Sequence, residues 1–363
     1  MKILALNSSS RGDGESKTEL MLNSLVEGMR AAGAEVEVVD LRKKKINNCA
    51  GCFSCWTKTP GTCIHKDDMT QELYPKWLAS DVVVYASPLY HFTVNAEMKT
   101  FIERTLPVLE PFFLQHNGQT YHPLREKPPK IVILSVAGLP DESVFDPLSS
   151  WAHFIYEERN PDEKALVAEI YRPMAEALTI PYFKEKAAAI LDATQQAGRE
   201  IVTSMNVSEK TMARVKQPMV EDPGTFLELG NLTWKTCIEE GITPREFGQR
   251  GLIPRPDSID SYIELMKLGF NSDATNGLNA KIQFNFMGNI QGCCFLEISE
   301  GALKAQQGTV NQPDLTVNSP FDIWMDILTG KAEGQQMFLD QKYAVEGDLA
   351  LLMQMEQLFG RNS

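Results

Sequence analysis

Ile3-Leu4-Ala5-Leu6, running straight into Asn7-Ser8-Ser9-Ser10-Arg11-Gly12-Asp13-Gly14-Glu15-Ser16-Lys17-Thr18, is the stretch on which the fold turns. The apolar run reads as a buried strand. Lys17 to Ala32 then carries helical spacing, with Leu20, Leu22, Leu25, Val26 and Met29 on one face and Gly33 as the stop. Small hydroxyl residues and glycines between strand and helix let the backbone approach an anion. The helix start adds unpaired N–H groups and the positive end of its dipole. Ser8, Ser9, Ser10, Ser16 and Thr18 are candidate hydroxyl donors, and Arg11 can add a charge-assisted bond. The alternative is a polar turn with an ordinary helix cap. The loop lacks the G-x-x-x-x-G-K-[ST] pattern, and Gly12 and Gly14 have no third glycine three residues on, so a mononucleotide phosphate fits better than a dinucleotide.

Outward from this unit the same grammar repeats. Val36 to Leu41, Val82 to Ala86 and Ile131 to Leu134 read as strands; Met69 to Leu78 and Ala96 to Arg104 read as helices. A long helix is expected over Ser150 to Leu178, a fifth strand near Ile180 and a closing helix over Lys184 to Thr203. Continuous apolar strands alternating with helices imply an α/β, doubly wound, five-stranded parallel sheet covered on both faces, with ligands beyond the carboxyl ends of its strands. From about residue 270 the pattern changes. Ala280, Ile282, Phe284 and Phe286 alternate with polar residues; Cys293 to Ile298, Leu315 to Val317 and Tyr343 to Val345 add strands, and Leu349 to Phe359 a final helix. Ser319 is expected to cap a helix with Pro320 in its first turn, Asp322 reaching back and Gly330 ending it. The expected organisation is a first domain over 1–204, a partly helical connector over 205–265 and a smaller α+β domain over 266–363.

The formal net charge of −13 argues against non-specific nucleic-acid binding, because such a chain repels phosphates. No segment approaches the ~18 consecutive apolar residues of a membrane span, and Ile3 to Leu6 is too short for a signal peptide, so a cytoplasmic location is expected. Seven cysteines then make a disulfide framework an unattractive explanation. Cys49, Cys52, Cys55 and Cys63 lie close together, in a run containing Trp56 and the Pro60-Gly61 turn and followed by Asp67-Asp68-Met69. They can converge as metal ligands, stay free or redox-active thiols, or bind zinc, although zinc favours two separated C-x2-C pairs. Cys237, Cys293 and Cys294 are scattered. None of His65, His91, His116, His122 and His153 forms a metal-spaced pair.

These stretches carry two resemblances. Ser8-Ser9-Ser10-Arg11 followed by Glu15-Ser16 resembles the "GSPR…NT" phosphate stretch of flavodoxin-like NADPH-dependent FMN reductases, with Ser for Gly and Pro and Glu15 for Asn. Pro88-Leu89-Tyr90-His91-Phe92 resembles that family's Pro-x-Tyr loop, and Met98-Lys99-x-Phe101-Ile102-x-Arg104 its K-x-F-I-D-R helix. The resemblance implies FMN, with its phosphate on the first loop and its ring against Pro88 to Phe92 and Ala137-Gly138. It implies NAD(P)H as cosubstrate, a quinone, nitro compound or other small electrophile as acceptor, and a homodimer. The cysteine run resembles the iron–sulfur flavoprotein branch, which implies a [4Fe–4S] cluster on Cys49, Cys52, Cys55 and Cys63 and electron transfer from a ferredoxin. It also resembles flavin reductases whose cysteines ligate nothing. Pro313-Asp314-Leu315-Thr316-Val317, Leu328-Thr329-Gly330-Lys331 and Tyr343-Ala344-Val345-Glu346-Gly347-Asp348 resemble the sterol carrier protein 2 (SCP2) domain, which implies an apolar tunnel for a lipid-like ligand; Phe284, Phe286, Phe295, Leu296, Trp324, Met325, Met337, Phe338, Met353 and Met355 either line such a space or simply form the core. A lipid carrier with a flavin scaffold is the reading from outside enzyme chemistry.

Overall fold

The structure, a computed structural model, describes residues 1–12, 14–158, 164–180, 183–220 and 223–359. It divides into two units, Met1–Met219 and Val220–Ser363. In the first, the described elements are β1 (Lys2–Asn7), α1 (Lys17–Ala31), β2 (Glu35–Asp40), α2 (Tyr74–Leu78), β3 (Val82–Pro88), α3 (Ala96–Glu103), the short strands β4 (Leu114–His116) and β5 (Gln119–Tyr121), β6 (Lys130–Val136), α4 (Asp146–His153), β7 (Leu166–Arg172), α5 (Lys184–Ser204) and α6 (Glu209–Val215). The main sheet has the order β2-β1-β3-β6-β7 with every pairing parallel. That is the flavodoxin-like order, whose switch point lies between the first and third strands. Alternation divides the side chains between two covered faces. Leu4, Leu6, Val83, Tyr85, Ile131 and Ile133 share one apolar core with Phe101 and Leu148. On α1 and α5, Gly28 and Gly198 let the helix backbones approach closely, since a Cβ at Gly28 would lie 1.8 Å from the Gln195 carbonyl oxygen.

Several expectations need correction. The helix expected over Ser150 to Leu178 is three things: α4, a π turn over Phe154–Glu158 and, further on, the strand β7. The fifth strand is therefore β7, not the segment near Ile180, which follows a 3-10 turn over Ala175–Thr179. Leu166, Val167, Ile170 and Tyr171 favour an extended edge against β6 over the helical propensity of their neighbours. Part of the expected long helix, residues 159–163, lies outside the described residues. The hairpin β4–β5 carries an Asn117-Gly118 turn, both residues at positive φ, a pairing signal the helix-and-strand reading passed over.

In the second unit come α7 (Pro223–Glu240), α8 (Pro244–Gln249), α9 (Ile259–Gly269), β8 (Ala280–Met287), β9 (Gly292–Ser299), β10 (Ala302–Gln307), β11 (Leu315–Pro320), α10 (Phe321–Leu328), α11 (Gly334–Leu339), β12 (Ala344–Gly347) and α12 (Leu349–Phe359). Their sheet runs β10-β9-β8-β11-β12, antiparallel except where β8 meets β11. Of the stretch expected as a connector, residues 205–219 fall in the first unit and the described remainder in the second, mostly as helix. Ser319 does not cap α10: it lies in β11 with its hydroxyl on the Pro320 carbonyl, because the strand pairing continues through Pro320. Among the described residues, no helix is long and apolar enough to cross a membrane.

Candidate functional site

The first loop is tied to the strands before it can hold anything. Ser8 donates both its N–H (2.9 Å) and its hydroxyl (3.1 Å) to the Ala86 carbonyl at the end of β3. The Asn7 side chain accepts the Ser9 N–H at 3.1 Å. The Ser16 hydroxyl donates to Ser9 Oγ at 2.8 Å and caps α1 by accepting the Glu19 N–H at 3.0 Å. Ser8, Ser9, Ser16 and Thr18 are buried, while Ser10 and Arg11 are exposed. The hydroxyls of Ser8, Ser9 and Ser16 thus shape the loop. The first-turn amides of Lys17 and Thr18 remain without an intrahelical acceptor, as at any helix start.

The cations around this loop were only partly legible. Glu176, in the 3-10 turn after β7, accepts from Arg11 Nη1 at 3.0 Å and pairs with Lys17 Nζ at 3.0 Å. Burial works to raise the Glu176 carboxyl, but Lys17 and then Arg11 hold it below the usual carboxylate range. The loop's two cations therefore already converge on one anion. Gly12 leaves room for a third: a Cβ there would meet the Arg42 guanidinium at 2.4 Å. Lys17 lay in the quoted stretch without being singled out. Arg42, just past β2, and Glu176 had no local signal.

The second loop follows β3. Leu89 donates its N–H to Val136 at the end of β6 (2.9 Å), and Tyr90 and Thr93 exchange N–H bonds (2.9 and 3.1 Å) around His91 and Phe92. Both turn residues are left-handed, at φ 47° and 62°, without a glycine to ease them. Such conformations cost of order 1–2 kcal/mol each and persist where the surroundings impose them. Tyr90 and Phe92 stand about half exposed, at 48% and 49%. Asn95, which sequence reasoning missed, joins the loops. Its Nδ2 donates to the Ser8 carbonyl (2.6 Å), its N–H to Ser87 Oγ (3.0 Å), and its Oδ1 caps α3 by accepting the Met98 N–H (3.3 Å). The third loop begins with Ala137, which donates to the Arg172 carbonyl (3.0 Å) and accepts from the Ala175 N–H (2.9 Å); Gly138 is exposed. All three loops leave the carboxyl ends of parallel strands and are joined to one another.

The cysteine loop runs between β2 and a π turn over Met69–Leu73. All four thiols are free: Cys52 exposed, Cys49 and Cys63 half-buried, Cys55 buried. Burial pushes the Cys55 thiol up, and the neighbouring Cys63, Cys49 and Cys52 push it further. The Cys52 thiol is drawn down, chiefly by its hydrogen bond with Ser54. The tetrahedral set expected of Cys49, Cys52, Cys55 and Cys63 is not formed. Among the described residues, no group of three or more His, Cys, Asp or Glu side chains is placed to hold a metal ion. A left-handed Phe53 and the 3-10 turn Ser54–Trp56 separate the exposed Cys52 from the buried Cys55.

In the second unit, Phe284, Phe286, Phe295, Leu296, Trp324 and Met325 are buried, Met337 and Met355 pack partly against the core, and Phe338 and Met353 face solvent. Tyr262 lies at the centre, edge-on to both Phe284 and Phe286 and accepting from Trp324 Nε1 at 3.2 Å.

Comparison with known proteins agrees with this division. Residues 1–143 match the family model of the NADPH-dependent FMN reductases, and residues 264–360 that of the SCP-2 sterol transfer family. An iron–sulfur flavoprotein of Archaeoglobus fulgidus is 42% identical over 107 residues, 30% of this chain and 46% of the relative. An FMN-dependent NADH:quinone oxidoreductase of Pseudomonas aeruginosa is 28% identical over 145 residues, 38% of this chain and 70% of the relative. The structure of apo sterol carrier protein 2 from Yarrowia lipolytica aligns with a TM-score of 0.26 at 18% identity, over 30% of this chain and 97% of that one. The chain spans about half the length of the iron–sulfur flavoproteins it matches first.

Proposed function

We propose that this chain, in which an NADPH-dependent FMN reductase segment precedes an SCP-2 segment, is an FMN-dependent oxidoreductase. It takes reducing equivalents from NADH or NADPH and passes them to a small electrophile such as a quinone or nitro compound. The observation that carries this reading is the cradle of three strand-end loops, in which Arg11 and Lys17 already grip one carboxylate. A phosphate ester suits the same two cations and the open amides of Lys17 and Thr18. Ser10 and Arg11 would contact it from the exposed side, with Ser8, Ser9, Ser16 and Thr18 shaping the floor. Pro88 to Phe92 and Ala137-Gly138 would flank the ring, the half-exposed Tyr90 and Phe92 offering apolar faces. Bound FMN supplies one- and two-electron chemistry, so no side-chain acid–base pair is required of the protein.

The test is spectroscopic. Full-length protein purified without air is examined for copurifying flavin, then given NADH or NADPH, then an acceptor. Loss of the flavin band with the nicotinamide and its return with a quinone are the expected results. Protein that neither copurifies with nor binds added FMN ends the proposal.

The named iron–sulfur relatives and the four clustered thiols support a second reading, electron transfer from a ferredoxin. The thiols as placed do not form a donor set. Iron analysis of the same preparation distinguishes the two. The SCP-2 segment supports an additional lipid-like ligand, read by binding of a fluorescent fatty-acyl probe.

A further inference from the structure

A loop of about twenty residues carrying four thiols needs its ends fixed if the thiols are to keep their spacing. In this chain one buried carboxylate joins both ends. Asp67 Oδ2 accepts the Asn47 N–H (2.8 Å), Asn47 Nδ2 (3.1 Å) and Arg104 Nη1 (2.7 Å). Its Oδ1 accepts Arg104 Nη2 (3.1 Å) and the Thr70 N–H (3.2 Å). Arg104, just past the end of α3, also donates to the Asn47 carbonyl (2.5 Å) and the Thr70 hydroxyl (3.0 Å). The Arg104 and Asp67 side chains are 1% and 0% exposed. Next to this knot, Lys45 donates its N–H to Asp68 Oδ2 (2.7 Å), and Asp68 returns its own N–H to the Lys45 carbonyl (3.1 Å).

A buried ion pair is weak evidence for stability, since desolvation offsets most of its attraction; where retained, it can fix one geometry among several. Apolar side chains could fill the same volume but could not accept the N–H groups of Asn47 and Thr70. The guanidinium also lies against the Cys63 thiol; burial works to lower its pKa, but its bonds to Asp67 keep it protonated. One pair therefore sets where the loop begins, where it ends, and what faces its last cysteine.

We propose that Arg104 and Asp67 are positioning residues for the four-cysteine loop, holding the exposed Cys52 and the buried Cys55 in unequal surroundings and so setting the order in which Cys49, Cys52, Cys55 and Cys63 meet a soft electrophile. That order stands whether or not the flavin reading does. The experiment alkylates the reduced full-length chain with iodoacetamide, in which each thiolate displaces iodide, and follows each cysteine by mass spectrometry. In the unsubstituted protein Cys52 reacts fastest of the four and Cys55 slowest. In Arg104→Gln the spread collapses: Cys55 and Cys63 gain at least tenfold relative to Cys52, and Arg104→Lys restores part of the spread. Asp67→Asn, which keeps the shape and one acceptor, gives the same change more weakly and serves if Arg104→Gln fails to fold. Leu148→Ala, a core change of the same unit, is the control for general loosening. Unchanged relative rates in folded Arg104→Gln or Asp67→Asn, or the same collapse in Leu148→Ala, would overturn the proposal.

Discussion

Replacing Gly28 by alanine should disturb the first strand-end loop, the proposed phosphate site, from a distance. In an ordinary helix interior the change stabilises by roughly 0.5–1 kcal/mol. Here the new Cβ would lie 1.8 Å from the Gln195 carbonyl oxygen, and real Cβ atoms essentially never come within 3.0 Å of such a neighbour. The obstacle is backbone, not a side chain that can swing aside, so α1 and α5 must separate by more than an ångström. Gly198 makes the reciprocal approach, a Cβ there falling 2.1 Å from the Leu25 carbonyl oxygen, so the seam has no slack on either side. Leu22, Leu25, Met29, Ile190 and Ile201, all buried, lose packing as it opens. Forced overpacking of this kind costs about 1–3 kcal/mol or somewhat more, which outweighs the gain in helix propensity. For a unit of this size each kcal/mol lowers the melting temperature by about 2–4 °C, so a drop of roughly 2–12 °C, less the smaller propensity gain, is expected by circular dichroism. Because α1 begins with Lys17 and Thr18, FMN retention should fall as well. A Gly28→Ala protein that melts at or above the parent temperature would refute the packing argument. A destabilised protein with undiminished FMN affinity would refute its link to the site.

Glu176→Gln removes the anion that a phosphate bound at the proposed site would have to displace from Arg11 and Lys17. Since Glu176 is half exposed, the gain is modest, about 1 kcal/mol or a several-fold lower FMN Kd by fluorescence titration, and weaker binding would mean that Glu176 positions Arg11 instead. Asp67 contributes through a depressed carboxyl: burial works to raise it, but Arg104 and the N–H groups of Asn47 and Thr70 hold it well below the usual range. Its stabilisation is complete above the unfolded value near ~3.9 and is lost as pH falls through the folded value. Asp67→Asn should therefore cost about 3 kcal/mol at neutral pH and progressively less in acid; a gap between the two melting curves that widens below pH ~4 contradicts this. Phe92→Gly relieves a left-handed residue and should leave the melting temperature nearly unchanged while speeding FMN dissociation in stopped-flow. A large loss of stability would show that the ring packs more than its half exposure implies.

The parallel sheet was legible because its strands are apolar runs with turn residues at both ends; Val82 to Ala86 has no other reading. β7 was not, because Glu169 interrupts an edge strand whose Ala and Leu neighbours also suit a helix. The positions of the three loops followed from the strand ends, but their wiring did not. Asn95 and Glu176 act across 87 and 165 positions of sequence, and no local pattern announces such bonds. The serines show a different limit. Their hydroxyls suggest donors to a ligand, whereas a buried hydroxyl first satisfies the backbone around it, as Ser8 does with Ala86. For the cysteines, spacing fixed their proximity and left their geometry open, since Phe53 enters a left-handed conformation that nothing in its side chain predicts.

The amide of Asn95 has one more implication. With Ser8, Ser87 and the start of α3 fastened by one side chain, and Leu89 fastened to Val136, the loops that would flank a flavin do not have to be recruited by whatever enters. Ordering entropy, which usually blurs comparisons between a whole ligand and its fragments, is then nearly absent. Riboflavin and FMN would meet the same walls, and the ratio of their affinities would report the worth of the phosphate corner by itself.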